Sequence, residues 1–326
     1  MKKEFINIDI AKWVISCFIV LLHLPFNNSI IHFIQQYISR LGVPLFFSFS
    51  GFFCYMNAKQ RNWKTVAKKC IFRIGKLYLL WGGLYFILMV YNRGIQSYSS
   101  LIKEYILCAP AYLWYLPAVL LGCISMLSFS QSKKKLYIYT LISLVLYFVG
   151  TLGNSYNTIF RFAFLQEYLD VFLTTRNGVF FAPLFVAIGA ICYEYLDQIN
   201  SFNRVNMRIW VIISYLFFCI EVFVVKSMIP AYEDSSMYFT LPYITVSILC
   251  YILDLQSSKI PSCIIESGKE FRKASTLIYC AQYGIAYMLR DYNAYVIFFI
   301  TIAIGTFIPF VNKFFMRIFK KYIDVS

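Results

Sequence analysis

Long apolar segments alternate with short polar connections along nearly the whole chain. Runs of this kind predict membrane-spanning helices, for which about 20 residues suffice. The ten predicted spans are residues 8–24, 41–55, 77–91, 114–129, 136–152, 179–196, 209–225, 237–253, 276–288 and 294–311. The pattern therefore predicts an all-α, polytopic integral membrane protein of about ten transmembrane helices. We expect residues 1–326 to form a single transmembrane domain without a soluble domain.

The first predicted span carries a stripe of polar residues. Lys12 and His23 are eleven residues apart, which places them within about 20° of each other and about 16 Å apart along a helix. Asp9 and Ser16 extend the same stripe. Because an ionisable group in the bilayer costs on the order of 2.5 to 3.5 kcal/mol, we expect the stripe to face a partner, a cavity or a proton path. The structural alternative is a satisfied His, with Asp9 and Lys12 reaching the headgroups.

Composition supports the membrane assignment. The chain is 60% hydrophobic and only 14% charged, compared with about 25% charged residues in ordinary soluble domains. Its net charge of +15 does not indicate nucleic acid, because Lys and Arg cluster in alternate connections and there set topology. Ten Cys residues without a C-x-x-C pair indicate neither a disulfide framework nor a zinc site. We therefore expect the lipid bilayer as a partner, and neither nucleic acid nor metal.

The distribution of basic residues predicts the orientation of the chain. Segments assigned to the cytoplasm contain 22 of the 30 Lys and Arg residues, outer connections contain 7, and Lys12 is the last. Positive residues accumulate on the cytoplasmic side of membrane proteins. Both termini and the basic connection 57–76 are therefore predicted to be cytoplasmic, and the connection 153–176 external. We expect a multi-pass protein of the plasma membrane.

A series of short motifs extends over almost the whole chain. The motifs are Asp9-Ile-Ala-Lys12 followed by His23, VPLFFSFSGF at 43–52, KKCIFRIGKLY at 68–78, LWYL at 113–116, RNGVFF at 176–181 and RKASTLIY at 272–279. In their order and spacing, these motifs together resemble the acyltransferase family 3 membrane proteins.

The resemblance implies transfer of an acyl group, commonly acetyl, from cytoplasmic acyl-CoA to a carbohydrate-like acceptor of the bacterial cell surface or envelope. In the resemblance, His23 takes the place of the essential His, as general base or proton shuttle. Arg73 and Lys76 match basic positions that attract CoA phosphates. The candidate site residues are His23, Lys12 and Asp9 for catalysis, Arg73, Lys76 and Ser50 for donor binding, and Trp114, Tyr115, Asn177, Glu221, Tyr279 and Gln282 for the acceptor or its cavity.

Two departures from the family pattern open a second interpretation. Lys12 stands for an Arg and lacks its planar fork, and Gln282 stands where the pattern carries a His. One branch of the family forms the membrane module of vancomycin-resistance serine racemases, thought to import L-serine, and its sequences also read Arg-Asn-Gly-x-Phe-Phe. The alternative hypothesis is such an uptake module, alone or with a partner racemase chain. Lys12 would then hold the serine carboxylate, and Asp9 or Glu221 the ammonium group.

Other polar residues have ordinary structural explanations beside the functional ones. A carboxylate at Glu221, inside a predicted span, is costly unless it is paired, so it either lines a cavity or forms a structural pair. Trp114 and Tyr115 begin a span from the outer side, where interfacial anchoring explains them as well as a substrate wall does. His32 and Glu194 are predicted to be solvated or interfacial.

Overall fold

The structure, a computed structural model, describes residues 5–93, 113–229, 235–255 and 260–323. Regular secondary structure in these ranges is helical throughout, which confirms the all-α prediction. The helices are α1 (Ile6–His23), α2 (Ser29–Tyr37), α3 (Gly42–Gln60), α4 (Trp63–Arg93), α5 (Tyr115–Phe129), α6 (Lys133–Leu152), α7 (Asn157–Phe160), α8 (Ala163–Phe172), α9 (Ala182–Glu194), α10 (Leu196–Ser201), α11 (Arg204–Met228), α12 (Leu241–Asp254), α13 (Ser262–Ile265), α14 (Gly268–Met288) and α15 (Ala294–Ile323).

Each of the ten predicted spans coincides with a helix, namely α1, α3, α4, α5, α6, α9, α11, α12, α14 and α15. Within the described ranges, six helical segments are long and apolar enough to cross a membrane. They are Ile6–His23, Ser29–Gln60, Trp63–Tyr91, Lys133–Leu152, Arg204–Met228 and Ala294–Phe314. Shorter apolar helices occupy Tyr115–Phe129, Ala182–Glu194 and Leu241–Asp254. These helices are those of a membrane protein, while the number of spans and their orientation stay predictions.

Two connections that the sequence pattern leaves between spans are largely helical. In the connection 57–76, α3 continues to Gln60 and α4 already begins at Trp63. Lys and Arg are good helix formers, so the helix extends beyond its apolar part. With 31 residues, α4 is about 46 Å long, more than the roughly 30 Å of a bilayer core. The connection 153–176 likewise contains the short helices α7 and α8.

The chain divides into two compact units. The first comprises residues 1–42 and 252–326, and the second comprises residues 43–251. In the first unit, α1, α14 and α15 pack together, and α2 lies beside α1. In the second unit, α5 and α6 both pack on α9, and α4 packs on α5.

In the first unit, α1 and α14 run parallel to each other. Arg272, near the start of α14, contacts Asp9 near the start of α1. Further along both helices, Ile278 forms a buried cluster with Val20 and Leu24. The contacts follow one another from the N-terminal to the C-terminal end of both helices. The two helices therefore point in the same direction. This arrangement sets which residues of α14 lie level with the polar stripe of α1.

In the second unit, α3 and α9 approach each other so closely that glycine is required at two positions. A Cβ atom on Gly51 would lie 2.0 Å from the carbonyl oxygen of Val186, and one on Gly189 would lie 1.8 Å from that of Ser48. Neither distance is compatible with a side chain. Small residues allow such backbone contact between membrane helices, and here they fix α3 against α9.

Candidate functional site

The candidate residues divide between the two units. Within the second unit, the structure brings Ser50 and Tyr115 into direct contact. In the ranges that the structure describes, no group of three or more His, Cys, Asp or Glu residues is arranged to hold a metal ion. The first unit contains Asp9, Lys12, His23, Tyr279 and Gln282, and the second contains Ser50, Arg73, Lys76, Trp114, Tyr115, Asn177 and Glu221.

The polar stripe of α1 is turned toward protein. Asp9 and Ser16 are buried, at 3% and 0% exposure, and Lys12 and His23 are partly buried. The Ser16 hydroxyl donates to the Trp13 carbonyl at 2.7 Å, so it is satisfied within its own helix. Burial of this stripe is what the cost of a charge in lipid requires.

Asp9 is held by an ion pair that the sequence analysis missed. Arg272 of α14 donates to it through both Nε, at 2.9 Å from Oδ1, and Nη2, at 2.6 Å from Oδ2. Such two-pronged Arg–carboxylate pairs are among the strongest hydrogen-bonded contacts in proteins. Asp9 and Arg272 both lie near the predicted cytoplasmic ends of their spans. This shared depth in the membrane was the sequence feature that could have predicted the pair. The pair ties α1 to α14 and neutralises the buried carboxylate.

Gln282 is a buried amide without a hydrogen bond. Its side chain in α14 is 4% exposed, and neither Nε2 nor Oε1 has a hydrogen-bond partner among the described residues. Tyr279, one turn earlier, is partly buried. A buried amide normally has partners for both of its polar atoms, and Gln282 has a described partner for neither.

The level of Gln282 along the helix pair follows from the register of α1 and α14. A Cβ atom on Gly268 would lie 3.5 Å from Oδ2 of Asp9, so these two residues face each other. Fourteen residues further on, α14 carries Gln282 and α1 carries His23. Fourteen residues are two heptads, which return a helix to nearly the same face with the same rise on both helices. Gln282 and His23 therefore lie at the same level of a parallel helix pair.

In the second unit, Ser50 of α3 and Tyr115 of α5 form one hydrogen-bonded group. Their hydroxyl oxygens are 3.1 Å apart, and both reach the carbonyl of Phe46, at 2.9 and 3.2 Å. Arg73 of α4 lies within electrostatic range of Tyr115. Arg73 and Lys76 are themselves exposed on α4. Ser50, predicted for donor binding, and Tyr115, predicted for the cavity, thus lie in direct contact.

Trp114 lies in an aromatic cluster next to a cation. The guanidinium of Arg176 is 5.0 Å from the centre of the Trp114 ring, a cation–π distance. The ring also neighbours Phe47 and Phe181, with centroids 6.1 and 6.0 Å away. In the sequence, Arg176 was identified only as the first residue of the motif RNGVFF at 176–181. The structure makes it a neighbour of a candidate acceptor residue.

Asn177 organises the turn that leads into α9. Its Oδ1 accepts from the backbone amides of Val179 and Phe180, and its Nδ2 donates to the Tyr168 hydroxyl at 2.8 Å and the Thr174 carbonyl at 2.9 Å. Three of these four contacts lie within residues 174–180, and the fourth links the turn to Tyr168 of α8. Side-chain contacts of this kind stabilise turns and helix starts, which is a structural function for this candidate.

Glu221 of α11 binds the start of α12. Its carboxylate accepts from the amides of Phe239 and Thr240, each at 2.7 Å, from the Thr240 hydroxyl, and from the Tyr156 hydroxyl at 2.5 Å. A negative charge is favourable at a helix N-terminus. Burial, with the hydrogen bond to the carboxylate, raises the pKa of the Tyr156 hydroxyl, which stays protonated and donates. These contacts are those of the structural alternative for Glu221.

Glu194 is not solvated, which was one of the two positions predicted for it. Its side chain is only 10% exposed. Lys59 and Lys133 each approach one carboxylate oxygen at 2.8 Å, and the Tyr55 hydroxyl donates at 2.7 Å. The last residue of α9 is thereby linked to the end of α3 and the start of α6. Partners from other helices, which no local pattern reveals, allow this charge to be buried.

Residues 5–316 match the family described as "Acyltransferase domain". The match covers nearly the whole chain, and the chain therefore belongs to this family. The family is that of an acyltransferase domain, and the apolar helices described above are those of a membrane protein. No solved structure gives a significant match.

Curated relatives are bacterial racemases. An amino-acid racemase of Enterococcus faecalis is 29% identical over 274 residues, covering 78% of this chain and 38% of the racemase. A serine/alanine racemase of Enterococcus gallinarum is 27% identical over 240 residues, covering 66% of this chain and 32% of that protein. The matched part thus spans less than two fifths of the length of these relatives.

Proposed function

We propose that the chain is a membrane acyltransferase that moves an acyl group, in the first instance acetyl, from cytoplasmic acyl-CoA to a hydroxyl of a carbohydrate-like acceptor at the cell surface or envelope. The observation that carries this proposal is the acyltransferase family match over residues 5–316. The partly buried His23 on a stripe turned toward protein supports it. The donor and the acceptor are inferred from the family resemblance and the charge pattern.

Acyl transfer to a hydroxyl requires one residue that accepts the hydroxyl proton. A His changes its charge near neutral pH, so His23 can take the proton from an acceptor hydroxyl as that oxygen attacks the acyl carbonyl. Asp9 is not assigned to proton transfer, because Arg272 already neutralises its charge. Lys12 lies three residues beyond Asp9 and gives the polar stripe of α1 a positive charge.

The donor is expected at the basic part of α4. Arg73 and Lys76 are exposed and three residues apart, so both side chains lie on neighbouring positions of one helical face. Cationic side chains attract phosphate groups, and CoA carries several.

The second candidate function is amino-acid uptake. It is favoured by the racemase relatives, since a racemase acts on amino acids. An uptake site needs groups for the ammonium and the carboxylate of its substrate. The two carboxylates considered for the ammonium group, Asp9 and Glu221, are already engaged by Arg272 and by the start of α12. These engagements favour acyl transfer over uptake.

The experiment that tests the proposal compares two charge-matched double variants of the full chain in lipid nanodiscs. Arg73→Gln with Lys76→Gln removes the proposed donor site. Lys64→Gln with Lys68→Gln removes the same charge from exposed residues of the same helix, but between about 140° and 180° around it from Arg73. We expect CoA binding, measured by calorimetry, to weaken at least tenfold in the first double variant and less than threefold in the second. Binding should also weaken with salt.

Turnover and uptake complete the test. Wild-type protein should release CoA thiol from acetyl-CoA when bacterial envelope glycans are supplied, and His23→Ala should abolish this release while still inserting into membranes. In proteoliposomes, labelled L-serine should show no saturable uptake. Uptake that is lost in Lys12→Ala, without CoA binding by the wild type, would reverse the assignment in favour of the uptake module.

A further inference from the structure

The first unit contains two buried glutamines with opposite surroundings. Gln35 of α2 is 8% exposed, and its Nε2 donates to the carbonyls of Leu21 and Leu24 at 2.8 and 2.9 Å. These carbonyls lie at the end of α1, where helix carbonyls lack partners within the helix. Gln35 is therefore a structural cap. Gln282, at 4% exposure, makes no hydrogen bond to any described residue.

An unsatisfied buried amide opposes folding. Removing a polar group from water without giving it a partner costs free energy, and an apolar side chain of the same shape would avoid that cost. Unsatisfied buried groups in native proteins call for a specific reason, and one such reason is a functional role. The position of Gln282 supplies that reason, because it lies level with His23 on the facing helix.

We propose that the Gln282 amide is a ligand-binding group of the acyl-transfer site, in which Nε2 donates to the carbonyl oxygen of the acyl group being transferred. This inference rests on the proposed function. An amide is suited to the task because it offers a donor to the oxygen and an acceptor to a neighbouring hydroxyl. Donors aimed at the oxygen where negative charge develops stabilise the transition state of acyl transfer.

The acceptor hydroxyl oxygen forms a bond to the thioester carbonyl carbon, and the hydroxyl proton passes to the His23 imidazole. Negative charge builds up on the carbonyl oxygen, which Gln282 Nε2 holds. The charge then returns to re-form the carbonyl, the carbon–sulfur bond breaks, and the departing CoA thiolate takes the proton from His23. The products are the acyl ester and CoA, with no oxidant or reductant required.

This assignment explains what an amide contributes that a His at the same position would not. An amide does not titrate in the physiological range, so it stays a hydrogen-bond donor at every working pH.

The first test is thermal melting of the purified full chain, with the two glutamines as a matched pair. Gln282→Met removes the unsatisfied amide at nearly constant shape, and we expect the melting temperature to rise by about 2 to 4 °C. Gln35→Met leaves two helix-end carbonyls without their donor, and we expect the melting temperature to fall. A melting temperature of Gln282→Met below that of the wild type would overturn the inference, because it would show a structural partner.

The second test is turnover of acetyl-CoA with envelope glycans. We expect kcat to fall roughly 100-fold in Gln282→Met, with little change in KM for acetyl-CoA. Gln282→His, which keeps a donor, should recover most of the rate and add an ionisation to the pH profile. If the wild type is active and Gln282→Met keeps full kcat, the acyl-oxygen role is overturned while the proposed function stands. If the wild type consumes no acetyl-CoA, both fail together.

Discussion

At the scale of single residues, buried charges in this protein are matched by partners that come from elsewhere in the chain. Asp9 is buried, and its partner Arg272 keeps a 54% exposed side chain. The exposed arginine can be solvated alone, but the carboxylate cannot. Removing one partner of a buried pair is costly mainly because the other is left uncompensated. The two ends of this ion pair should therefore differ in their sensitivity to substitution.

We expect Arg272→Gln to destabilise the protein by about 3 to 5 kcal/mol, because it leaves Asp9 charged and unpaired. Asp9→Asn should cost less, since Arg272 then turns to water. The double variant should recover part of the stability that Arg272→Gln loses. Chemical unfolding of the purified protein in detergent measures all three. Strictly additive losses would contradict the ion pair as the dominant contact of Asp9.

At the scale of secondary-structure elements, helix ends in this protein are secured by side chains of neighbouring elements. Gln35 of α2 binds the last carbonyls of α1, and Glu221 of α11 binds the amides that precede α12. The first amides and last carbonyls of a helix have no partner within it. Contacts of this kind explain buried polar residues without a catalytic function.

For Glu221 the expected outcome is a local loss of stability. Glu221→Gln keeps one acceptor oxygen but loses the charge that favours the start of α12, at a cost of about 1 to 2 kcal/mol. Amide hydrogen exchange at Phe239 and Thr240 should accelerate. The exposed acid Glu167 provides the control, and Glu167→Gln should change neither. Unchanged exchange together with lost turnover would instead assign Glu221 to a functional cavity.

At the scale of the whole molecule, the basic residues divide the chain into alternating connections. Much of the densest basic cluster lies on α4, whose first half is polar and whose second half is apolar. Positive residues are retained on the cytoplasmic side, so the start of α4 is predicted to extend into the cytoplasm. The connection that contains α7 and α8 is predicted on the outer side.

Labelling of single cysteines tests this layout. In a cysteine-depleted background, Glu167→Cys in α8 should react with an impermeant maleimide added to intact cells. Lys64→Cys in α4 should react only after the membrane is permeabilised. Both positions are exposed, so accessibility within the protein does not limit either reaction. Reaction of both from the same side would show that the ten-span layout is wrong.

The sequence alone determined that the chain is helical and membrane-embedded, and it predicted that the Asp9 to His23 stripe faces a partner, a cavity or a proton path. Apolar runs and charge costs are local properties, and they can be read from consecutive residues. The helix boundaries were predicted less accurately, because α4 and α14 begin in basic segments ahead of their apolar parts.

The tertiary structure decided which polar residues have partners. Asp9 and Arg272 are 263 residues apart in sequence, and Glu194 is 139 residues from Tyr55. Such contacts depend on how helices pack, which no local pattern contains. The same packing leaves Gln282 without a described hydrogen bond, level with His23 on a parallel helix. Whether a buried polar group is satisfied is a property of its three-dimensional surroundings, and only folding reveals it.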